Sequence, residues 1–221
     1  MRLHEVERGD GPFWRLLIRF ISLMSGMRLP DAARLVFYHK AFFGDPMSFW
    51  THAAMRGESA WTVGERELLA AMTAKWNVCP FCVGAHSAIA AQVLGKPVVQ
   101  TALDNVQQAD LPAKLQATLT FLKALTQTPD TLTADQARIV LREAVTSEAL
   151  EDAIAASVLF NITARCADAL DYEMLDDKGF DRAANYQGRL VVASSGYARF
   201  ASIRCEKIAA NAAGPNVIAA Q

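Results

Sequence analysis

Helical signals follow one another along almost the whole chain, whereas strand signals are nearly absent. Thr62 with Glu65, and Thr133 with Gln136, have the spacing of capping boxes, which mark helix starts. The one β-branched cluster, 190–192, lies in a window long enough for a helix. Because connections between these segments are short, we predict an all-α fold in a single compact domain.

The start and stop signals divide the chain into helical segments. Pro and Gly residues interrupt the apolar periodicity at regular intervals. We predict three parts within the domain 1–221: N-terminal helices over 1–60, a core over 61–172 and a C-terminal helical extension over 173–221. The individual helices are expected over 31–43, from 46 onwards, 62–76, 80–94, 111–128, 133–145 and 147–170, and again after 179.

Composition and charge exclude several classes of protein. Apolar residues make up 52% of the 221 residues, which excludes a disordered chain. Lys and Arg total 22 against 23 Asp and Glu, so the near-neutral chain does not suit an electrostatic nucleic-acid binder. The acidic N-terminus does not resemble a secretory signal, so we expect a cytoplasmic protein.

An apolar stretch near the N-terminus, 13–24, is interrupted by Arg15 and Arg19. It is too short to cross a bilayer, which takes about 20 residues. Phe13, Leu17, Phe20 (or Ile21) and Met24 fall near helical spacing, so we predict an amphipathic helix that docks on the core or on another subunit rather than on a membrane.

Two of the four cysteines, Cys79 and Cys82, form a C-x-x-C pair beside Pro80. If Pro80 is the first helical residue, Cys79 is the N-cap and the two sulfurs meet on one side of the helix. Unpaired N–H groups there favour a thiolate. His86 follows Cys82 by one helical turn, where an imidazole can exchange a proton with a thiol.

The preceding helix contributes a carboxylate that no capping role explains. Glu65 is the capping partner of Thr62, but Glu67 lies on a strip of small residues suited to close helix packing. A carboxylate there is partly desolvated, so it either pairs with a cation or acts as an acid or base. We predict that His86 on the next helix is its partner.

Other interpretations of these residues stay open. Cys79, Cys82 and His86 could provide three ligands of a structural zinc site, although no second close pair is present. The two cysteines could also be buried by chance. Cys166 and Cys205 are expected to be small apolar core residues, and His39 is a further candidate for the lining of a pocket.

At these residues the sequence resembles the alkylhydroperoxidase D-like (AhpD-like) group of the carboxymuconolactone decarboxylase superfamily. The pattern is a Glu, C-x-x-C after eleven residues, and a His after three more, matched by Glu67, Cys79, Cys82 and His86. The stretch 159–170 also looks like the peroxidase-related members, so the resemblance covers about 62–170. Some members have a His between the cysteines, where this chain has Phe81.

The resemblance implies a helical fold that assembles into trimers or hexamers. It implies reduction of a small hydroperoxide by the cysteine pair, which an external thiol or dithiol protein then reduces again. No metal or other cofactor is expected. Members that act as decarboxylases lack the C-x-x-C, so its presence favours the redox branch.

Two arguments disagree about which cysteine attacks the peroxide. The helix terminus favours Cys79, whereas the resemblance and the spacing to His86 favour Cys82. We choose Cys82, because a base one turn away acts directly on it. In this hypothesis Glu67 orients His86, His86 deprotonates Cys82, and Cys79 resolves the sulfenic acid as a disulfide.

Three other functions compete with peroxide reduction. The first is a thiol–disulfide oxidoreductase that does not turn over peroxide. The second is a zinc-bound or purely structural helical oligomer. The third is decarboxylase or lactone chemistry, which would survive the loss of both cysteines.

Overall fold

The computed structural model describes residues 3–9, 11–38 and 43–193, and every regular element in these ranges is helical. The all-α prediction is therefore confirmed for this part of the chain. The helices are α1 (His4–Arg8), α2 (Pro12–Ser25), α3 (Asp31–Tyr38), α4 (Asp45–Arg56), α5 (Val63–Trp76), α6 (Pro80–Leu94), α7 (Lys96–Asp104), α8 (Ala113–Gln127), α9 (Ala134–Arg142), α10 (Ser147–Leu170) and α11 (Asp177–Ala193).

Most of the predicted boundaries agree with the observed helices. α5, α6, α8 and α10 match their predicted ranges to within two residues, and both capping boxes form. The helix α7 was missed, because Pro97 was interpreted as a stop signal. Here it lies in the first turn, where the absent N–H costs nothing.

The chain divides into two compact units, Met1–Asn185 and Tyr186–Gln221. The first contains the helices from α1 through the start of α11. Of the second, the structure describes the end of α11, to Ala193. The single domain over 1–221 stays a prediction, and Cys205 and His39 lie outside the described residues.

The helix α5 is buried on all sides in the middle of the first unit. Leu68, Leu69 and Ala71 have no exposed surface, and α6, α8 and α10 pack around them. Trp61, just before α5, donates its indole N–H to the carbonyl of Ala149 at 2.6 Å, which ties α5 to the start of α10. A helix with no solvent face holds its side chains in fixed positions.

By length and apolar composition, α10 is the one helix in the described ranges that could cross a membrane. Its 24 residues pack against α4, α5 and α8, and Ala153, Ala156 and Leu159 are fully buried there. In this unit α10 is therefore a core helix.

The amphipathic helix predicted near the N-terminus is α2, but its apolar stripe does not dock on the core of this chain. Ile18 is buried and Trp14 stacks on Phe37 with ring centroids 5.3 Å apart. Phe13 and Met24, which the sequence placed in the docked stripe, are exposed on the outer side of the helix. Docking of this stripe on another subunit stays a prediction, because periodicity identifies an apolar face but not what covers it.

A glycine lets α11 approach α6 closely near the cysteine pair. A Cβ atom added at Gly84 would lie 2.5 Å from Cε2 of Phe180, far inside van der Waals contact. Phe180 also packs edge-to-face on Phe81, at a centroid distance of 5.9 Å. The start of α11 thus packs against Phe81, which lies between the two cysteines in the sequence.

Replacing this glycine is expected to destabilise the fold. In Gly84→Ala the ring of Phe180 must move, which should cost about 2 kcal/mol of unfolding free energy, a typical cost of overpacking. Urea unfolding measures it. When Phe180 is also replaced by Ala, the added methyl no longer meets the ring, so Gly84→Ala should cost much less unfolding free energy in the Phe180→Ala protein. If Gly84→Ala costs the same in the wild type and in the Phe180→Ala protein, the close approach is contradicted.

Candidate active site

A tight turn between α5 and α6 places the cysteine pair. The N–H of Asn77 donates to the carbonyl of Thr73, and that of Cys79 to the carbonyl of Ala74, so the turn caps α5 and starts α6 at once. Val78 at its centre has a φ of 58°, in the left-handed region. A β-branched side chain is strained there. The side chain of Val78 is 81% exposed, so it does not extend the buried strip of small residues on α5.

Both cysteines are buried and present as free thiols. Cys79 is the N-cap of α6 and Cys82 lies in its first turn, as predicted. The two side chains hydrogen-bond each other, and the sulfur of Cys79 also accepts the backbone N–H of Cys82. These contacts show that the pair is close enough to act as one redox unit.

The two thiols differ in acidity. The hydrogen bond from the Cys82 thiol and the Cys82 backbone N–H lower the pKa of Cys79, against the effect of burial. The same thiol–thiol hydrogen bond, together with burial, raises the pKa of Cys82 well above its ordinary value. The reduced pair thus loses its first proton from Cys79 and keeps the second between the two sulfurs.

The helix α10 brings two further groups to the pair that the sequence did not assign to it. The carboxylate of Asp168 hydrogen-bonds the Cys79 thiol and, as a negative charge, opposes its ionisation. Cys166 is half-buried and packs against the same apolar cluster as both cysteines, so it is not a remote core residue. No spacing in the sequence links these residues to the motif.

Glu67 is buried in the first unit, with 1% of its surface exposed. Its Oε2 lies 2.6 Å from Nδ1 of His86, and its Oε1 accepts from Nη2 of Arg56 at 2.5 Å. Burial pushes the pKa of Glu67 up, but His86 and Arg56 outweigh it and the pKa is lowered. The carboxylate is therefore ionised at neutral pH and accepts the Nδ1 proton of His86.

One arginine contacts this carboxylate, and a second holds the chain beside it. The end of α4 carries Arg56, and α5 carries Arg66, whose Nη1 donates to the carbonyl of Gly57 at 2.9 Å. Arg66 thereby holds the chain just after Arg56, and burial lowers its own pKa. The sequence predicted that Glu67 pairs with a cation or with His86, and the structure shows both.

The imidazole of His86 is fixed on two sides. One ring nitrogen is held by Glu67, and the ring packs edge-to-face on Phe160 at a centroid distance of 4.3 Å. Among the described residues, no direct hydrogen bond joins His86 to Cys79 or Cys82. Proton exchange with the thiols therefore needs a bridging water or the substrate itself.

The structure brings the four predicted site residues to the adjoining faces of α5 and α6. Glu67 contacts His86 as predicted, and Cys79 contacts Cys82. Across the described residues, no group of three or more His, Cys, Asp or Glu side chains is arranged to hold a metal ion. The catalytic roles of the four residues stay predictions.

Two neighbouring residues have structural roles. Phe81, where some AhpD-like proteins have a His, packs edge-to-face on Tyr172 at a centroid distance of 5.2 Å. Asn161 accepts a hydrogen bond from Asn77 at 2.9 Å, which joins α10 to the end of α5. Asn161 thus bridges two helices.

Solved structures share this fold. A peroxidase-related protein from Silicibacter sp. TM1040 superposes with a TM-score of 0.70 at 20% identity, over 82% of this chain and 95% of that one. An alkylhydroperoxidase AhpD core, a peroxidase-related protein from Ralstonia eutropha JMP134, gives 0.65 at 24% identity, over 79% and 94%. The debrominase Bmp8 in its apo form gives 0.61 at 16% identity, over 78% and 92%.

No family model matches the sequence, and a comparison with curated proteins found no match. The structural neighbours nevertheless agree on one architecture over about four fifths of the chain. The chain therefore has the AhpD-like fold, as the sequence resemblance predicted.

The strained turn before Cys79 gives a stability prediction. Asn tolerates the left-handed region better than Val, so Val78→Asn should raise the free energy of unfolding by about 1 kcal/mol. Val93→Asn is the matched control, since Val93 is also exposed but lies in the regular helix α6. Urea unfolding of both variants measures the difference. A loss of stability in Val78→Asn would contradict the strain.

The buried carboxylate gives a pH prediction. Since the pKa of Glu67 is lowered in the folded state, its stabilisation is complete above its ordinary value of 4.5 and is lost as the pH falls through the folded value. Glu67→Gln should cost about 3 kcal/mol at pH 7, because it leaves buried partners without a counter-charge. Its stability should also fall less on acidification than that of the wild type.

The matched control for this experiment is Glu151→Gln, at an exposed position of α10. Urea unfolding at neutral pH and below pH 4.5 measures the two variants and the wild type. If Glu67→Gln shows the same acid loss as the wild type, Glu67 does not carry the stabilising charge.

Proposed function

We propose that this protein reduces small hydroperoxides with the Cys79–Cys82 dithiol and is reduced again by an external thiol or dithiol protein. One observation carries the proposal: a buried, ionised Glu67 holds His86 one helical turn from Cys82, whose thiol shares a hydrogen bond with that of Cys79. The AhpD-like fold supports the peroxidase class, but a fold hosts several chemistries, and one neighbour is a debrominase.

Glu67 and His86 act as the proton-handling pair in this proposal. Glu67 accepts the Nδ1 proton, so Nε2 is the nitrogen that exchanges protons with the reacting groups. Arg56 balances the Glu67 charge whether His86 is neutral or protonated. A protonated His86 can protonate a departing alkoxide, and a neutral one can take a thiol proton.

The dithiol begins the reaction with one proton between its two sulfurs. The first proton of the dithiol goes through a water to Nε2 of His86, which becomes the imidazolium, and leaves a thiolate on Cys79, the thiol with the lower pKa; Cys82 is then the hydrogen-bond donor. When that proton moves along the existing hydrogen bond to Cys79, Cys82 becomes the thiolate. We keep Cys82 as the attacking sulfur because it is the one that lies a helical turn from His86.

In the first step the Cys82 thiolate attacks the terminal oxygen of the peroxide. The S–O bond forms and the O–O bond breaks, so the sulfur is oxidised to a sulfenic acid and the peroxide is reduced. The alkoxide that leaves takes a proton from the His86 imidazolium and departs as an alcohol.

In the second step the Cys79 thiol gives its proton to the now neutral His86 through water, and the resulting thiolate attacks the sulfenic sulfur. The S–S bond forms, and the departing hydroxide takes the proton back from His86 as water. The net reaction consumes the dithiol and the peroxide and yields a disulfide, an alcohol and water. An external dithiol then exchanges with the disulfide and becomes oxidised itself.

A coupled assay tests this function. The reduced protein with dithiothreitol should consume cumene hydroperoxide catalytically, and Cys82→Ser should lose at least about a hundredfold in turnover because the attacking sulfur is gone. Cys166→Ser is the matched control and should keep most activity. Insulin reduction without peroxide turnover would support the thiol–disulfide oxidoreductase instead.

Dimedone trapping tests which sulfur attacks. With one equivalent of peroxide, Cys79→Ser should accumulate a sulfenic acid on Cys82, because its resolving partner is gone. Mass spectrometry of the tryptic peptides locates the adduct. A sulfenic acid on Cys79 in Cys82→Ser, with none in Cys79→Ser, would reverse the assignment and make the more acidic thiol the nucleophile.

A further inference from the structure

An apolar surface on α2 is turned away from the rest of the unit. It is formed by Phe13, Leu16, Phe20, Leu23 and Met24, which are between 58% and 80% exposed. They recur at helical spacing and make one continuous face, which we call the outer face of α2. A contiguous exposed patch of this kind marks a site of interaction.

A cleft of about 580 Å³ lies along the opposite flank of α2, between that helix and α1 and α3. Its lining includes five arginines: Arg8, Arg15, Arg19, Arg28 and Arg34. Carboxylates of Glu7, Asp31 and Glu173 pair with Arg28, so positive charge remains in excess. The cleft is suited to an anion.

Two details within the cleft suit an anion. The Nη1 atom of Arg28 is buried and, within the described residues, has no hydrogen-bond partner; Oδ1 of Asp31, which lies 2.7 Å from Nη2 of the same arginine, has no hydrogen bond either. Arg34 is nearly buried beside Arg28, and burial together with that neighbouring charge lowers its pKa. A phosphate at this position would satisfy the unpaired nitrogen and relieve the repulsion.

The two features share one helix. On α2, Arg15 and Arg19 are exposed and line the cleft, and Leu23 follows Arg19 by one turn on the border of the outer face. These two arginines are the charged residues of α2, which has no acidic residue. A helix with large apolar residues on one side and arginines beside them is typical of helices that lie in a membrane interface.

We propose that α2 docks on an anionic phospholipid surface, with its outer face among the acyl chains and a lipid phosphate held by the arginine cleft. Charge distinguishes this occupant from the α2 helix of a second copy of the chain. Two α2 helices packed face to face would bring Arg15 and Arg19 near their own copies without an acidic residue on either helix, which is unfavourable. This docking is independent of the dithiol chemistry.

Vesicle flotation of the full-length protein tests the proposal. The wild type should float with vesicles of phosphatidylcholine and phosphatidylglycerol and much less with phosphatidylcholine alone. Arg15→Gln/Arg19→Gln should weaken binding about 30-fold, from about 1 kcal/mol for each arginine near the surface. The matched control Arg138→Gln/Arg142→Gln, on α9, should change binding less than about threefold.

A second pair of variants tests the outer face. Phe20→Ser/Leu23→Ser should abolish flotation, whereas Ile139→Ser, at an exposed apolar position of α9, should not affect it. The far-ultraviolet circular dichroism of every variant should match that of the wild type, which shows that the proteins are folded.

The opposite results would overturn the proposal. These are an absence of flotation with anionic vesicles, or unchanged flotation in the arginine variant. Light scattering tests whether a second copy of the chain covers the outer face instead. If the wild type does not bind vesicles and Phe20→Ser/Leu23→Ser converts an oligomer into smaller species, the outer face is a contact between subunits.

Discussion

The buried carboxylate of Glu67 is the interaction on which the arrangement of the site depends. It lies on α5, the helix with no solvent face, and joins Arg56 from the end of α4 to His86 on α6. An ionised group at this depth is stable only while both partners are present. The ion pairs of Glu67 that hold these helices together therefore also set the orientation of the His86 imidazole beside the thiols.

The thiol pair depends on a second, local constraint. The turn centred on Val78 ends α5 and starts α6 within a few residues, so the N-cap of α6 is occupied by Cys79. Backbone N–H groups and the neighbouring thiol stabilise charge on that sulfur, while Asp168 opposes it. Because these effects on the pKa of Cys79 oppose each other, the two thiols share one proton. A shared proton suits a dithiol that must be oxidised and reduced in turn.

Much of this site could be predicted from local sequence. The Thr62–Glu65 capping box and Pro80 set the starts of α5 and α6, and helical spacing then aligned Glu67, His86 and the cysteines. Arg56 and Asp168 could not be predicted, because they come from other helices and no regular spacing links them to the motif. The left-handed Val78 was also missed, since a β-branched residue is disfavoured there. For α2, periodicity identified the apolar face but not its exposure.

Stoichiometric oxidation tests the central claim most directly, namely that a dithiol beside a carboxylate-held histidine reduces a hydroperoxide. One equivalent of cumene hydroperoxide is added to the fully reduced protein, the remaining thiols are alkylated, and the peptides are mapped while the alcohol product is quantified. The account predicts a disulfide between Cys79 and Cys82, one equivalent of alcohol, and Cys166 still alkylated. Consumption of peroxide without this disulfide, or a disulfide that includes Cys166, would contradict it.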